Sequence, residues 1–108
     1  MPFPFGTARV AGDSMQPHLY DGDWVVMRRG RPGSHGRRAR VGDVVVVRRP
    51  DRPDLVVVKR VGEVRDDGRL WLVGDNPAAS DDSRVFGAVP AAAVEGRVIW
   101  RYKPLRRT

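Results

Sequence analysis

The sequence predicts a mainly β fold: a small barrel-like or two-sheet antiparallel arrangement with little helix. Three observations carry this. The apolar residues cluster in short valine-rich runs instead of recurring at helical spacing. Gly, Pro and Asp punctuate the runs. The 108-residue length supports one modest core and hence one domain, spanning 1–108.

The elements follow in order. "DWVVMRR" at 23–29 comes after an Asp21-Gly22 turn and reads as a strand. "DVVVVRR" at 43–49 and "LVVVKRVGEV" at 55–64 are the next two, joined by the tight, proline-broken turn "RPDRPD" at 49–54. "RLWLVG" at 69–74 follows through Asp67-Gly68, a hairpin signal. "GRVIWRY" at 96–102 closes the series. Between the last two, Pro90 and "AAAVEG" predict one short helical turn, with proline at its start and Gly96 after its end. The stretch "GRPGSHGRRARVG" at 30–42 has no periodicity and is expected to be a flexible Gly/Arg-rich loop.

Composition narrows the function classes. There is no cysteine, so neither a disulfide framework nor a thiolate metal site is available. His18 and His35 lack carboxylates at ligand spacing, so no metal site and no cofactor are expected. The net charge of +7 permits an anionic partner, but base-stacking motifs are absent and no nucleic-acid partner is expected; a basic nucleic-acid-binding β-barrel is the rival of another class. No apolar run approaches the ~20 residues of a membrane helix, and the N-terminus has no signal-peptide pattern. The expectation is a cytoplasmic protein without stable membrane insertion, or a membrane-associated one if an N-terminal anchor precedes it. In the latter case Phe3, Phe5, Trp24 and Met27 would form an apolar surface suited to lipid.

Three stretches hold more chemistry than a β scaffold needs. Ser14, in "GDSMQP", reads on its own as a turn residue, like most serines in such surroundings. Lys59 is one of only two lysines and lies in "VVVKRVG". Strand alternation puts Val57, Lys59 and Val61 on one face and Arg60 on the other. Arginine stays charged and is expected to face water, so Lys59 faces inward. There desolvation lowers its pKa and makes it a possible general base. "GDNPAASDDSRVFG" at 74–87 gathers Asp75, Asn76, Ser80, Asp82 and Arg84. Asp82 and Arg84 are spaced for a carboxylate–guanidinium clamp, and Asp75 and Asn76 can bond their own backbone, as a rigid loop would require.

Together, the serine-methionine-x-proline box at 14–17, Gly42-Asp43-Val44-Val45, Lys59-Arg60-Val61, and Gly74-Asp75-Asn76 running to Ser80, Asp82-Ser83-Arg84 and Gly87 resemble the Ser–Lys peptidases of the signal-peptidase type. The resemblance implies a serine endopeptidase in which Ser14 is the nucleophile, its backbone N–H serves the oxyanion, and Lys59 is the general base. It further implies that Ser80 orients the lysine, that Asp82 and Arg84 brace the Ser80 loop, and that Met15 lines the substrate pocket. Substrates would carry small side chains near the cut.

Two positions depart from the pattern. Gly12 stands where many anchored relatives have a serine that assists the oxyanion, and His18 stands where threonine or serine often follows the box proline. His18 also raises a Ser–His alternative, though convergent geometry is needed for it. The "GDNP" segment and the "VIWRYKP" tail are similar to the branch of these peptidases that matures nickel-type superoxide dismutase. The implied partner is then the precursor of that enzyme, whose N-terminal propeptide is removed to expose a nickel-binding N-terminus; the nickel belongs to the substrate. The alternative is the catalytic domain of a signal peptidase I acting on exported preproteins.

Overall fold

The computed structural model describes residues 4–29, 39–52 and 54–102. Most of the 30–42 loop, Phe3, His35 and the end of the tail lie outside them. The fold is mainly β and antiparallel, with strands β1 (Phe5–Arg9), β2 (Trp24–Arg28), β3 (Val44–Arg48), β4 (Val56–Val64), β5 (Leu70–Val73) and β6 (Val94–Tyr102). They form one six-stranded sheet in the order β1-β2-β6-β3-β4-β5. β6 is inserted at the centre, between β2 and β3, and so joins the β1-β2 pair to β3, β4 and β5.

The valine run of β3 explains where the core sits. Val45 and Val47 belong to one buried cluster with Val61, Leu70, Leu72, Val89 and Val94. Val46 belongs to another with Val10, Met15, Leu19, Val25, Met27 and Val58. Alternation sends these neighbours to opposite faces, so β3 is covered on both sides and needs an unbroken apolar run.

Several local readings change. β1, "FGTAR", was not expected. Ala91–Ala93 form a 3-10 turn after Pro90, but the strand begins at once with Val94. Gly96 therefore does not end a helix. It lies inside β6, where a Cβ would press on Met27 and on the carbonyl of Arg28. A four-residue helix, α1 (Ser83–Phe86), stands in the 74–87 loop. At the end of the 30–42 stretch, Ala39 is buried in the first cluster and the N–H of Gly42 donates to the carbonyl of Val61 at 2.8 Å, so this part is a packed turn. Met27 is a core residue and forms no outer surface.

Candidate active site

Ser14 stands on an excursion between two paired strands. Beyond β1 the ladder continues through Val10, whose N–H donates to the Asp23 carbonyl and whose carbonyl accepts from the Gly22 N–H, both at 2.8 Å. Gly22 has a φ of 87°, a left-handed conformation that glycine adopts without steric cost. Residues 11–21 are thus closed at their base. Inside the excursion the Leu19 N–H donates to the Met15 carbonyl at 2.9 Å, and both side chains are driven into the second core cluster. The Gln16–Pro17 peptide is cis. Burying Met15 and Leu19 holds the turn down and leaves the Ser14 hydroxyl at the edge of a cleft.

Lys59 reaches that hydroxyl from β4. It pairs with Val45 of β3 in register and lies between Val57 and Val61, which pack with the first cluster. The side chain is buried, and Lys59 Nζ and Ser14 Oγ form a hydrogen bond of 2.7 Å. Burial pushes the Lys59 pKa below the usual lysine value. Asp82 and Asp81 pull towards the charged form, while Arg49 again favours the neutral one.

The 74–87 loop is tied to both. The Asn76 N–H donates to the Ser14 carbonyl at 2.8 Å, and Asn76 Nδ2 donates to the Asp13 carbonyl at 3.1 Å. Asp75 accepts two bonds from Arg60, at 2.8 and 2.9 Å, and meets His18 Nδ1 at 2.9 Å. The Arg60 hydrogen bonds hold the Asp75 carboxyl below the usual carboxylate range. Asp82 caps α1 through the Arg84 N–H at 3.0 Å, accepts from Arg84 Nε at 3.0 Å, and accepts from the Gly74 N–H at 3.2 Å. Burial alone would raise the Asp82 pKa; the bonds from Arg84 and Gly74 outweigh it and the net direction is down. Gly74 has no room for a side chain, because a Cβ would collide with Ser80 and with the Ser14 carbonyl.

Ser14, Lys59, Val57, Arg49, Asp81 and the small residues Ala11, Gly12 and Ala79 border a cleft of about 320 Å³. Arg49, directly after β3, is buried on this wall. Its guanidinium grips Asp51 with two bonds, at 2.8 and 2.6 Å, and its Cζ lies 5.1 Å from the centre of the Phe86 ring.

Some expected contacts differ. Ser80 Oγ is buried but has no hydrogen-bond partner among the described residues, so it does not bond Lys59 here. Met15 is fully buried in the core and does not border the cleft; a fit against Leu19 and Val25 satisfies it better than a solvated wall. His18 points to Asp75 and is largely exposed, so its ring is engaged away from Ser14. Arg60 does not run free into water but closes on Asp75 and on the Gly42 carbonyl. The side chains of Asp75 and Asn76 do not bond their own turn; they bond β4 and the Ser14 excursion, and only the Asn76 carbonyl closes the turn, accepting from the Ala79 N–H at 3.0 Å. Arg49 was read only as the end of a strand and the start of a turn. The Arg-Pro-Asp order at 49–51, which allows a bidentate pair two residues apart, was its one local signal. Among the described residues no cluster of metal-ligating side chains is present.

An antiparallel β sheet that brings a buried lysine onto a turn serine, beside a peptide-sized cleft, is the arrangement of a serine-type peptidase. A model of the Peptidase S24-like family matches residues 4–99, and the chain belongs to that family, the Ser–Lys peptidases of signal-peptidase type. It is 32% identical to mitochondrial inner membrane protease subunit 1 of Xenopus tropicalis, over 88% of this chain and 67% of that protein. The corresponding subunit of Schizosaccharomyces pombe is 33% identical over 93% of this chain and 74% of its own length. The human subunit is 28% identical over 93% and 70%.

These likenesses correct the cytoplasmic expectation, because the relatives are membrane proteases. That expectation rested on the lack of a spanning segment. Among the described residues no helix is long and apolar enough to cross a membrane, but this does not decide where a domain works.

Proposed function

We propose that the chain is an endopeptidase that removes an N-terminal segment from precursor proteins at a membrane surface, with Ser14 as nucleophile and Lys59 as general base. The observation that carries this reading is the 2.7 Å hydrogen bond between a buried lysine amine and a serine hydroxyl at the edge of a cleft. With the amine neutral, the hydroxyl donates to its lone pair. As Ser14 Oγ bonds to the scissile carbonyl carbon, its proton passes to Nζ. The ammonium then returns that proton to the leaving amine as the C–N bond breaks. Water, deprotonated by the same lysine, releases the acyl group from Ser14.

The Ser14 backbone N–H makes no hydrogen bond among the described residues and is the donor we assign to the oxyanion. The Gly12 N–H is held by Asp21 at 2.9 Å, so it does not replace the missing family hydroxyl.

Substrate binding follows from the sheet. β3 pairs with β4 along 56–60, whereas β5 pairs with it only from Arg60 onward. The stretch just before Lys59 therefore has a strand on one side alone among the described residues, and an extended peptide added there would run alongside the Ser14–Lys59 pair. Ala11, Gly12 and Ala79, which border the cleft, fit small side chains at the cut.

A membrane setting is supported by the relatives' names and by one face of the sheet. Directly paired residues share a face, and β1, β2 and β6 there present the rows Phe5, Arg28, Arg97; Thr7, Val26, Trp100; and Arg9, Trp24, Tyr102. Trp100 is 66% exposed and Tyr102 44%. Aromatic rings with arginines and no acid between them suit an anionic headgroup layer.

A second reading keeps the chemistry and changes the substrate to the nickel superoxide dismutase precursor. The "GDNP" segment favours it: Pro77 opens a 3-10 turn, and its carbonyl accepts from Arg84 Nη2 at 2.8 Å, which binds this proline into the brace of the loop. The two are separated by incubating the protein with each precursor class and reading the new N-terminus by mass. The first reading expects cleavage of leader-bearing membrane or exported precursors; cleavage of the dismutase precursor alone would replace it with the second.

A further inference from the structure

We infer that Arg49 is a positioning residue of the peptidase reaction: it fastens the wall of the cleft carrying Asp81 and α1 to the turn after β3, and it sets a fixed positive charge on the side of Lys59 that faces two carboxylates. The inference rests on the Ser14–Lys59 reading.

The geometry is that of a built contact, not a surface arginine. The Arg49 side chain is 8% exposed, although arginine is rarely found buried without partners. It holds three: the bidentate grip on Asp51, the Asp81 carboxylate at 3.6 Å from Nη1, and the face of Phe86. Asp51 lies in the β3–β4 turn, whereas Asp81 and Phe86 belong to the 74–87 loop. One guanidinium therefore joins two segments that the ladder does not connect. It also borders the cleft together with Ser14 and Lys59.

The charge has a defined consequence. The charged groups acting on Lys59 are Asp82 and Asp81, in the 74–87 loop, and Arg49, which meets Asp81 from the turn after β3. A base that must lose its proton is poorly served by two nearby carboxylates. Asp82 is neutralised by Arg84 at 3.0 Å. Asp81 is 70% exposed and meets Arg49 alone among the described residues, so Arg49 is what offsets it. Arginine suits this task because it stays protonated at any working pH and its planar fork matches a carboxylate. The same fork ties the 74–87 loop to the β3–β4 turn at the border of the cleft, so its loss also loosens substrate positioning.

The test is the pH profile of kcat/KM for a leader-type peptide. In Arg49→Met the rising limb is expected to move up by about half a pH unit or more, since Lys59 then meets the Asp81 carboxylate without its compensating charge. Arg49→Lys is expected to keep the limb near its original place while raising KM, because charge is retained and the fork is lost. Asp81→Asn, at an exposed position that leaves folding intact, is expected to move the limb down, so the inference remains testable if Arg49→Met fails to fold. An unmoved limb in both Arg49→Met and Asp81→Asn, or in Asp81→Asn alone when the other does not fold, would overturn the assignment and leave Arg49 a structural residue only. Lys59→Ala is measured alongside. If it still cleaves, the dyad itself fails; if it is inactive and the limbs do not move, only the role of Arg49 fails.

Discussion

Lys59 concentrates the conflict between stability and function in this chain. Its amine is buried beside valines, and burial favours the neutral form. The folded pKa therefore lies below the unfolded one, and unfolding takes up a proton in the interval between them. Stability is expected to rise with pH across that interval, and activity is expected to rise with it as the proposed base loses its proton. Lys59→Met is expected to abolish cleavage, by about a thousandfold or more, yet to raise the thermal midpoint near neutral pH by removing a desolvated amine. Calorimetry and a peptide assay on the same preparation check both halves. Gly74→Ala is expected to weaken activity strongly, because the added methyl displaces Ser80 and the Ser14 carbonyl; a kcat near the original would show that the loop can yield. The pair Ser14 and Lys59 was legible because each stands out locally, one in a turn box and the other as a lysine in a valine strand. Arg49 was not, since its partners Asp81 and Phe86 come together only through the sheet. Ser80 shows the converse: a motif assigned it a bond that this arrangement of its hydroxyl does not make.

The loop from Gly74 to Gly87 is the element on which the site depends. It contributes little apolar surface and is held by polar bonds: Asp82 to Gly74 and Arg84, Ser83 Oγ accepting from the Leu72 N–H at 2.8 Å, and Asn76 to the Ser14 excursion. Asp82→Ala removes the cap of α1 and leaves the buried Gly74 N–H without its acceptor. A loss of about 1–3 kcal/mol in denaturant unfolding is expected, with a parallel fall in activity. A loss under half a kcal/mol would mean that the loop is braced elsewhere. The strands at 23–29, 43–49, 55–64 and 69–74 were legible from β-branched runs between turn residues. β1 was not, because Gly, Thr and Ala give no apolar alternation. α1 was not either, being four residues long and formed by its aspartate cap, with no apolar periodicity to announce it.

The molecule as a whole joins a neutralised cleft to a basic outer face. Strand order was beyond the sequence reading, since placing β6 between β2 and β3 is a long-range choice that no local pattern encodes. That placement assembles the Phe5, Trp24, Trp100 and Tyr102 face with its arginines. The double variant Arg28→Ala/Arg97→Ala is expected to weaken binding to vesicles rich in anionic lipid by roughly fivefold per arginine, while cleavage of a short soluble peptide stays unchanged. Cosedimentation with vesicles checks this, and unchanged binding would remove the face from the membrane proposal.

In the proposed reaction Ser14 forms the bond to substrate and Lys59 enables it. Rapid quenching of the reaction with a precursor peptide, followed by peptide mapping, tests this most directly. An acyl adduct on the Ser14 side chain is expected in the original protein and none in Lys59→Ala with its fold intact. An adduct on another residue, or an undiminished one in Lys59→Ala, would contradict it.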